Sequence, residues 1–137
     1  MREIKFRGKR INRNGEWSYG DLRKVNGISL VLPQYDDAAC DRDVVFHDTI
    51  GQFTGLKDKN GVEIYEGDVV FVDFEGTDVV KTYTVEWSNH TAAFVLTMFP
   101  GTGYGLFMDK DFVEKSVKVI GNMYKPKDED KEYYNSY

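Results

Sequence analysis

Apolar and polar residues alternate over short stretches along most of the chain, which is the pattern of half-buried β-strands. Near the start, Ile4 and Phe6 alternate with charged neighbours. Helical periodicity is nearly absent, and the pattern favours at most a short helical turn at residues 36–42 or 110–115. Later apolar runs that predict strands lie at residues 17–19, 28–32, 44–46, 50–53, 62–65, 69–74, 79–87, 92–99 and 117–124.

Turn-forming residues separate these predicted strands. Asn60-Gly61 and Gly67-Asp68 are predicted as structural turns, since Asn and Gly tolerate positive φ and Asp accepts hydrogen bonds from nearby amides. Five or six short strands at close spacing predict a small barrel, because closure of a sheet removes its exposed edges. The expected fold class is therefore mainly β, with a β-rich extension before the barrel.

Three segments resemble the YopX family of phage and prophage proteins. The longest is GQFTGLKDKNGVEIYEGDVV at residues 51–70, and MREIKFR at residues 1–7 and VIGNMY at 119–124 resemble the opening and closing of that family. The resemblance implies an SH3-like barrel over residues 48–125, preceded by an N-terminal portion over residues 1–47. It supplies no catalytic residues. Residues 126–137 show no apolar period and are expected to form a disordered tail.

Composition and charge narrow the classes of function. The net charge is −5, but residues 1–25 hold eight Lys/Arg against three Asp/Glu, whereas the remainder holds ten against twenty. An acidic body disfavours non-specific binding to nucleic acid, whose affinity comes mainly from phosphate contacts. No run of apolar residues is long enough for a membrane span or a signal peptide, and Cys40 is the single cysteine. These features predict a cytoplasmic protein with no membrane association, and the resemblance to the phage and prophage family implies that its cell is a bacterial host.

Candidate reactive residues form no recognisable catalytic or metal-binding motif. His47, His90 and Cys40 lack the short spacing of zinc ligands, and the carboxylate next to Cys40 would raise rather than lower its thiol pKa. The acidic pairs at residues 36–37 and 41/43 are expected to be solvated. The glycine-rich stretch 101–105 lacks the dinucleotide fingerprint and is expected to form a mobile loop. No cofactor and no metal is therefore predicted.

These observations predict a noncatalytic accessory protein that binds a protein partner or itself. Lys5, Arg7 and Tyr104 are the candidate contact residues, with Ile4 and Phe6 anchoring the first strand on its opposite face. One alternative is a nucleic-acid-binding small barrel that uses exposed aromatics such as Tyr19 or Tyr35 and a basic stripe formed by Arg2, Lys5, Arg7, Lys9, Arg10 and Arg13. A second alternative is an enzyme of unknown type, with a site assembled from scattered acids.

Overall fold

β-Strands account for most of the regular structure in a computed structural model of the chain, which describes residues 2–12, 16–33 and 43–124. The chain divides into two units, Met1–Phe53 and Thr54–Tyr137. Within the described ranges, no helix is long and apolar enough to cross a membrane.

The N-terminal unit is built around an antiparallel meander. Its tightest turn is Asn26-Gly27, where φ is 49° and 80°, and two successive positive-φ residues match the twist of a two-residue β-hairpin. Its core contains Leu30, Val31, Leu32, Val45 and Phe53. The strands are β1 (Phe6–Lys9), β2 (Trp17–Val25), β3 (Ile28–Leu32) and the first part of β4 (Gly51–Lys57), hydrogen-bonded in the order β3-β2-β1-β4, and a 3-10 turn at His47–Thr49 precedes β4.

The C-terminal unit contains the remainder of β4 and a second antiparallel sheet. In that sheet the last strand returns to pair with the first, in the order β10-β6-β7-β8-β9. One face of the sheet buries the core residues Ile64, Val70, Val72, Tyr83, Val85, Leu96, Val113 and Val117. The elements are β5 (Glu63–Tyr65), β6 (Asp68–Asp73), β7 (Val80–Ser88), β8 (Ala93–Thr97), β9 (Leu106–Phe107), α1 (Lys110–Ser116) and β10 (Val117–Asn122).

Helix α1 fulfils one of the two helical predictions. The Asp109 side chain caps it by accepting a hydrogen bond from the Phe112 amide at 3.2 Å, which satisfies one of the free N–H groups of the first turn. Val113 and Ser116 are its buried residues. The other predicted helical turn, at residues 36–42, lies outside the described residues, as does the predicted tail at 126–137.

The prediction of a mainly β protein is confirmed, but the predicted closed barrel is wrong for the described residues. The two sheets, β3-β2-β1-β4-β5 and β10-β6-β7-β8-β9, are both open in their hydrogen-bonding order. Strand β9 pairs with β8 at only two positions, Val95↔Phe107 and Leu96↔Leu106. The chain then enters α1 and returns along β6, so β10 pairs with β6 and not with β9.

Candidate functional site

The turn between β5 and β6 places an aromatic ring against the backbone. Gly67 has a φ of +92°, and a Cβ atom at this position would collide with the ring of Tyr124. The Gly67 amide donates to the carbonyl oxygen of Val85 at 2.8 Å, and the Gly67 carbonyl accepts from the Met123 amide at 2.8 Å. Because Gly67 has no side chain, Tyr124 can lie directly on this turn. The two hydrogen bonds of Gly67 join the turn to β7 and to the residue after β10.

In the loop that follows β8, a second glycine allows a second ring to pack against the backbone. Gly103 has a φ of +76°, and a Cβ atom there would lie 2.8 Å from Cδ2 of His90. The imidazole of His90 stacks on Tyr104 with ring centres 5.0 Å apart and an angle of 16° between the planes. The absence of a side chain at Gly103 therefore allows this stacked pair to sit close to the backbone.

Side chains of β7 tie this loop to the sheet. The two carboxylate oxygens of Glu86 accept hydrogen bonds from the amides of Gly101 and Gly103, at 2.7 and 2.8 Å. The Ser88 hydroxyl donates to the Gly103 carbonyl at 2.6 Å. Hydrogen bonds to a charged acceptor are stronger than those between neutral groups, so the predicted mobile loop is instead fastened to β7 at several points.

A cleft of about 330 Å³ opens between these two glycine turns. Its lining contains the aromatic residues Trp87, His90 and Tyr124 and the carboxylates Glu66 and Glu86. Among the lining residues that the structure describes, none is a lysine or an arginine. The remaining lining residues are Gly67, Val85, Asn89, Gly101, Thr102, Gly103 and Met123.

Next to the cleft, residues 98–107 present apolar side chains to solvent, and we name this segment the aromatic loop. Phe99, Tyr104 and Phe107 are 71%, 70% and 65% exposed. Met98 is also exposed. Tyr104, one of the three predicted contact residues, is therefore exposed in the same segment as Phe99 and Phe107.

The predicted structural turn residues lie in turns with specific hydrogen bonds. The Asn60 amide donates to Oδ1 of Asp58 at 2.8 Å, and the Gly61 amide donates to the Asp58 carbonyl at 3.0 Å. Gly61 has a φ of +80°. Asp68 is buried, and its Oδ2 accepts from the Tyr65 amide at 2.8 Å. Both turns thus depend on a carboxylate that satisfies backbone donors.

The Asp58 carboxylate accepts more hydrogen bonds than its place in the predicted turn indicated. The residue is buried, and Oδ1 accepts from the amides of Asn60 and Val62 at 2.8 and 2.9 Å. Oδ2 accepts from the Val119 amide at 2.9 Å, in β10. One carboxylate therefore joins the turn to the closing strand.

The basic start of the chain is placed differently from the prediction. Arg7 and Lys9 are only 6% and 4% exposed, whereas Ile4 is 52% exposed. The Arg7 guanidinium lies 4.3 Å and the Lys9 ammonium 5.2 Å from the ring centre of Trp17. The predicted inward face of Ile4 and outward face of Arg7 is therefore wrong, because the indole ring attracts both cations and their aliphatic stems bury well.

Two more of the predicted basic residues, Lys5 and Arg10, lie beside acidic or aromatic groups. The Lys5 ammonium lies 3.0 Å from a carboxylate oxygen of Glu3 and 5.0 Å from the ring centre of Phe53. Arg10 pairs with Glu16 at 3.1 Å. In the described part of the chain, the predicted phosphate-facing stripe is thus largely committed to internal contacts; Arg13 and Tyr35 fall outside that part.

The candidate metal ligands do not come together. Nδ1 of His47 lies 3.2 Å from the hydroxyl of Ser29, and His90 belongs to the aromatic stack. Over residues 2–12, 16–33 and 43–124, no three His, Cys, Asp or Glu side chains are grouped in a way that could hold a metal ion. Cys40 lies outside these ranges.

Comparison with known proteins supports the resemblance seen in the sequence. The family model described as YopX protein matches residues 5–127. The crystal structure of protein EF1440 from Enterococcus faecalis is similar, with 21% identity, a TM-score of 0.53, and coverage of 90% of this chain and 94% of that chain. At this identity the likeness concerns the fold alone. No curated protein matched the sequence.

Proposed function

This chain belongs to the YopX family, and we propose that it is a noncatalytic phage or prophage accessory protein that binds another protein through its aromatic loop. The observation that carries the proposal is the exposure of Phe99, Tyr104 and Phe107 within nine residues of sequence. Aromatic side chains provide a large contact area and are enriched among the residues that dominate binding energy at protein interfaces.

The way in which the loop is held supports this role. Its backbone is fastened by Glu86 and Ser88, and Tyr104 is held by its stack on His90. A surface that is already ordered loses less conformational entropy on binding than a flexible one. The loop therefore offers its aromatic groups at a lower entropic cost than a free segment of the same composition.

Several finer features belong to the same proposal. We infer an SH3-like relationship for the second sheet, supported by its consecutive short antiparallel strands and by a last strand that returns to the first after a short helix. Self-association is the second form of the proposed binding, and the host cytoplasm is the proposed location. A nucleic-acid-binding role is disfavoured, because Arg7 and Lys9 are buried over Trp17.

The test compares the aromatic loop with another exposed apolar surface in the same unit. The first variant combines Phe99→Ser, Tyr104→Ser and Phe107→Ser. The control combines Val79→Ser and Val80→Ser, which removes exposed apolar side chains from the hairpin between β6 and β7. Circular dichroism and urea unfolding first establish that both variants are folded.

Binding is then measured in two ways. Tagged wild-type protein and both variants capture partners from host cells that carry the phage, the captured protein is purified, and its affinity is measured by calorimetry. Sedimentation at tens of micromolar measures self-association. We expect a partner, or a second copy, that is bound by the wild type and the Val79/Val80 control and lost with the aromatic variant. Equal binding by all three proteins would refute the role of the loop, and a monomer without any partner would refute the function.

A further inference from the structure

Strand β9 lies at one end of the second sheet and has an edge that no other strand of the described ranges covers. It pairs with β8 alone, through Val95↔Phe107 and Leu96↔Leu106. Its two residues, Leu106 and Phe107, are 38% and 65% exposed. Consecutive residues of an antiparallel strand direct their backbone N–H and C=O groups to opposite sides, so one of these two residues directs them away from β8.

The hydrogen bonds of the sheet identify Phe107 as that residue. The Val85 carbonyl of β7 accepts from the Gly67 amide, so the backbone groups of Val85 are directed towards the β6 side. Alternation then directs the next residue of β7 towards its partner on β8, Val95, and the residue after Val95 towards its partner on β9, Leu106. The backbone N–H and C=O of Phe107 therefore lie on the open side of the sheet.

The edges at β3 and at β10 are closed by other parts of the chain, in contrast to β9. The Val45 amide donates to the Ser29 carbonyl at 3.0 Å, on the outer side of β3. The Val119 amide of β10 donates to Oδ2 of Asp58 at 2.9 Å. Uncovered edges in proteins are usually protected by lysine, proline or a bulge, and β9 has neither a charged residue nor a proline. An apolar edge without such protection is suited to pairing with another strand.

We propose that β9 pairs antiparallel with β9 of a second copy of this chain, so that two sheets join across a two-fold axis. The inference rests on the proposed function in its self-association form, and it names the strand that carries the contact. Phe107 of one copy lies opposite Phe107 of the other and exchanges two backbone hydrogen bonds with it. In this register Leu106 lies opposite Met108, so apolar side chains meet apolar side chains on both faces of the joined sheet.

A second β9 fits this edge because the strand is complementary to itself. A partner strand must be apolar on both faces, since Leu106 and Phe107 expose apolar side chains on opposite faces of β9. Antiparallel pairing about Phe107 places Asp109 opposite Gly105, so no like charges meet, whereas an in-register parallel pairing would set Asp109 against Asp109. A two-fold contact also uses the edge of both copies, so the assembly ends at two chains.

β9 is held in position from both ends. A side chain at Gly105 would collide with the carbonyl oxygen of Leu96, so the chain enters β9 close against the backbone of β8. Directly after the strand, Asp109 caps helix α1. An edge that is already ordered loses little conformational entropy on pairing. Because the paired segment is short, we expect a weak and reversible dimer with a dissociation constant of about 10–100 µM.

The test measures sedimentation equilibrium of full-length protein from about 1 to 300 µM, a range that spans the expected dissociation constant. Phe107→Lys and Phe107→Glu each place a charge opposite its own copy. Val80→Lys is the matched control, because Val80 is 58% exposed and lies in β7 of the same sheet. Circular dichroism and urea unfolding establish that each variant is folded.

We expect the wild type and Val80→Lys to dimerise with equal affinity. Phe107→Lys alone and Phe107→Glu alone should dimerise at least about tenfold more weakly, since each loses the aromatic pair and sets like charges against each other. An equimolar mixture of the two variants should recover an affinity within about fivefold of the wild type, because lysine then faces glutamate. In the wild type, hydrogen exchange of the Phe107 amide should slow as the concentration rises, because its N–H enters a hydrogen bond between the copies.

Four results would overturn the inference. These are a wild-type monomer at the highest concentration, unchanged dimerisation of Phe107→Lys, no recovery in the mixture, and a Phe107 amide whose exchange does not depend on concentration. The proposed function is tested separately by the serine variant of Phe99, Tyr104 and Phe107. If the mixture fails to recover while the wild type binds a partner or itself and the serine variant does not, the aromatic loop binds in another geometry and the proposed function stands.

Discussion

Replacement of Gly67 by alanine tests whether the Tyr124 ring can pack on the turn only because residue 67 has no side chain. The change should destabilise the protein by about 2–5 kcal/mol. A residue with a side chain pays about 1–2 kcal/mol to adopt left-handed backbone geometry, and φ here is +92°. The new Cβ would also lie 2.9 Å from Cζ of Tyr124, so the ring must move, at the roughly 1–3 kcal/mol typical of overpacking. Together these two effects give the expected range.

Gly61→Ala is the matched control. Gly61 also has a positive φ, +80°, but a Cβ atom there would meet nothing within 4 Å. It should therefore show the backbone strain alone, about 1–2 kcal/mol. Urea unfolding of both variants measures the difference in midpoint at constant slope. Equal losses of stability for Gly61→Ala and Gly67→Ala would refute the conflict with the Tyr124 ring. No loss of stability for either variant would refute the argument from backbone strain.

A double variant separates the two contributions further. If the ring of Tyr124 is what the new methyl group displaces, Tyr124→Ala should already have removed that conflict. Adding Gly67→Ala to Tyr124→Ala should then cost no more than Gly61→Ala costs in the wild type. An additional loss equal to that of Gly67→Ala alone would place the conflict elsewhere in the turn.

Three further outcomes are expected. Asp58→Ala should lower the free energy of unfolding by about 2–4 kcal/mol, because it leaves three backbone amides without their charged acceptor. Asp58→Asn should lower it by less, and equal melting temperatures for the wild type and Asp58→Ala would contradict this prediction. Truncation behind Lys125 should leave the melting temperature within about 5 °C by calorimetry, because the removed residues have no apolar period to bury; a larger drop would show that they contribute to the fold. In fluorescence anisotropy, duplex and single-stranded DNA or RNA should not bind measurably at about 0.15 M salt; micromolar binding that weakens steeply with salt would restore the nucleic-acid alternative.

Local patterns were enough to predict the position of most strands and turns, although β2 extends beyond the predicted residues 17–19 and β9 (Leu106–Phe107) was not predicted. Asn26-Gly27 forms a hairpin turn of the kind that these residue types favour, and Asn60-Gly61 and Gly67 adopt positive φ or the turn hydrogen bonds that their residue types favour. Helix α1 lies where a short helical turn was predicted. These features depend on residues a few positions apart, so a single sequence contains the necessary information.

The face of β1 could not be predicted in the same way. The alternation of Ile4 and Phe6 with Lys5 and Arg7 indicated an apolar inner face, because burying a cation is normally costly. Arg7 is buried all the same, since Trp17 on the paired strand β2 lies under its guanidinium. The strand pairing that makes this contact is tertiary information, and it overrode the local pattern.

The cleft was missed for a related reason. Its lining comes from the turn at Glu66, from β7, from the loop at Gly103 and from the residues after β10, which are distant in sequence. The available signal for the cleft in the sequence was the pair of glycines, Gly67 and Gly103, against which the rings of Tyr124 and His90 pack. Gly67 was recognised as a turn residue, but nothing local indicated that Tyr124 would lie on it.

The bond between the Asp58 carboxylate and the Val119 amide joins positions 61 residues apart, and β6 needs β10 to cover its outer edge. A bacterial ribosome adds about 5–20 residues per second, so about 3–12 seconds separate the synthesis of these two partners. In the later part of that interval β6 and β7 have both been synthesised and can pair, but the other edge of β6 still lacks β10. The newly made protein therefore passes through a period in which that edge is open to pairing with other chains. The duration of this exposure is set by the position of β10 in the gene and by the speed of translation, and a more stable folded state would not shorten it.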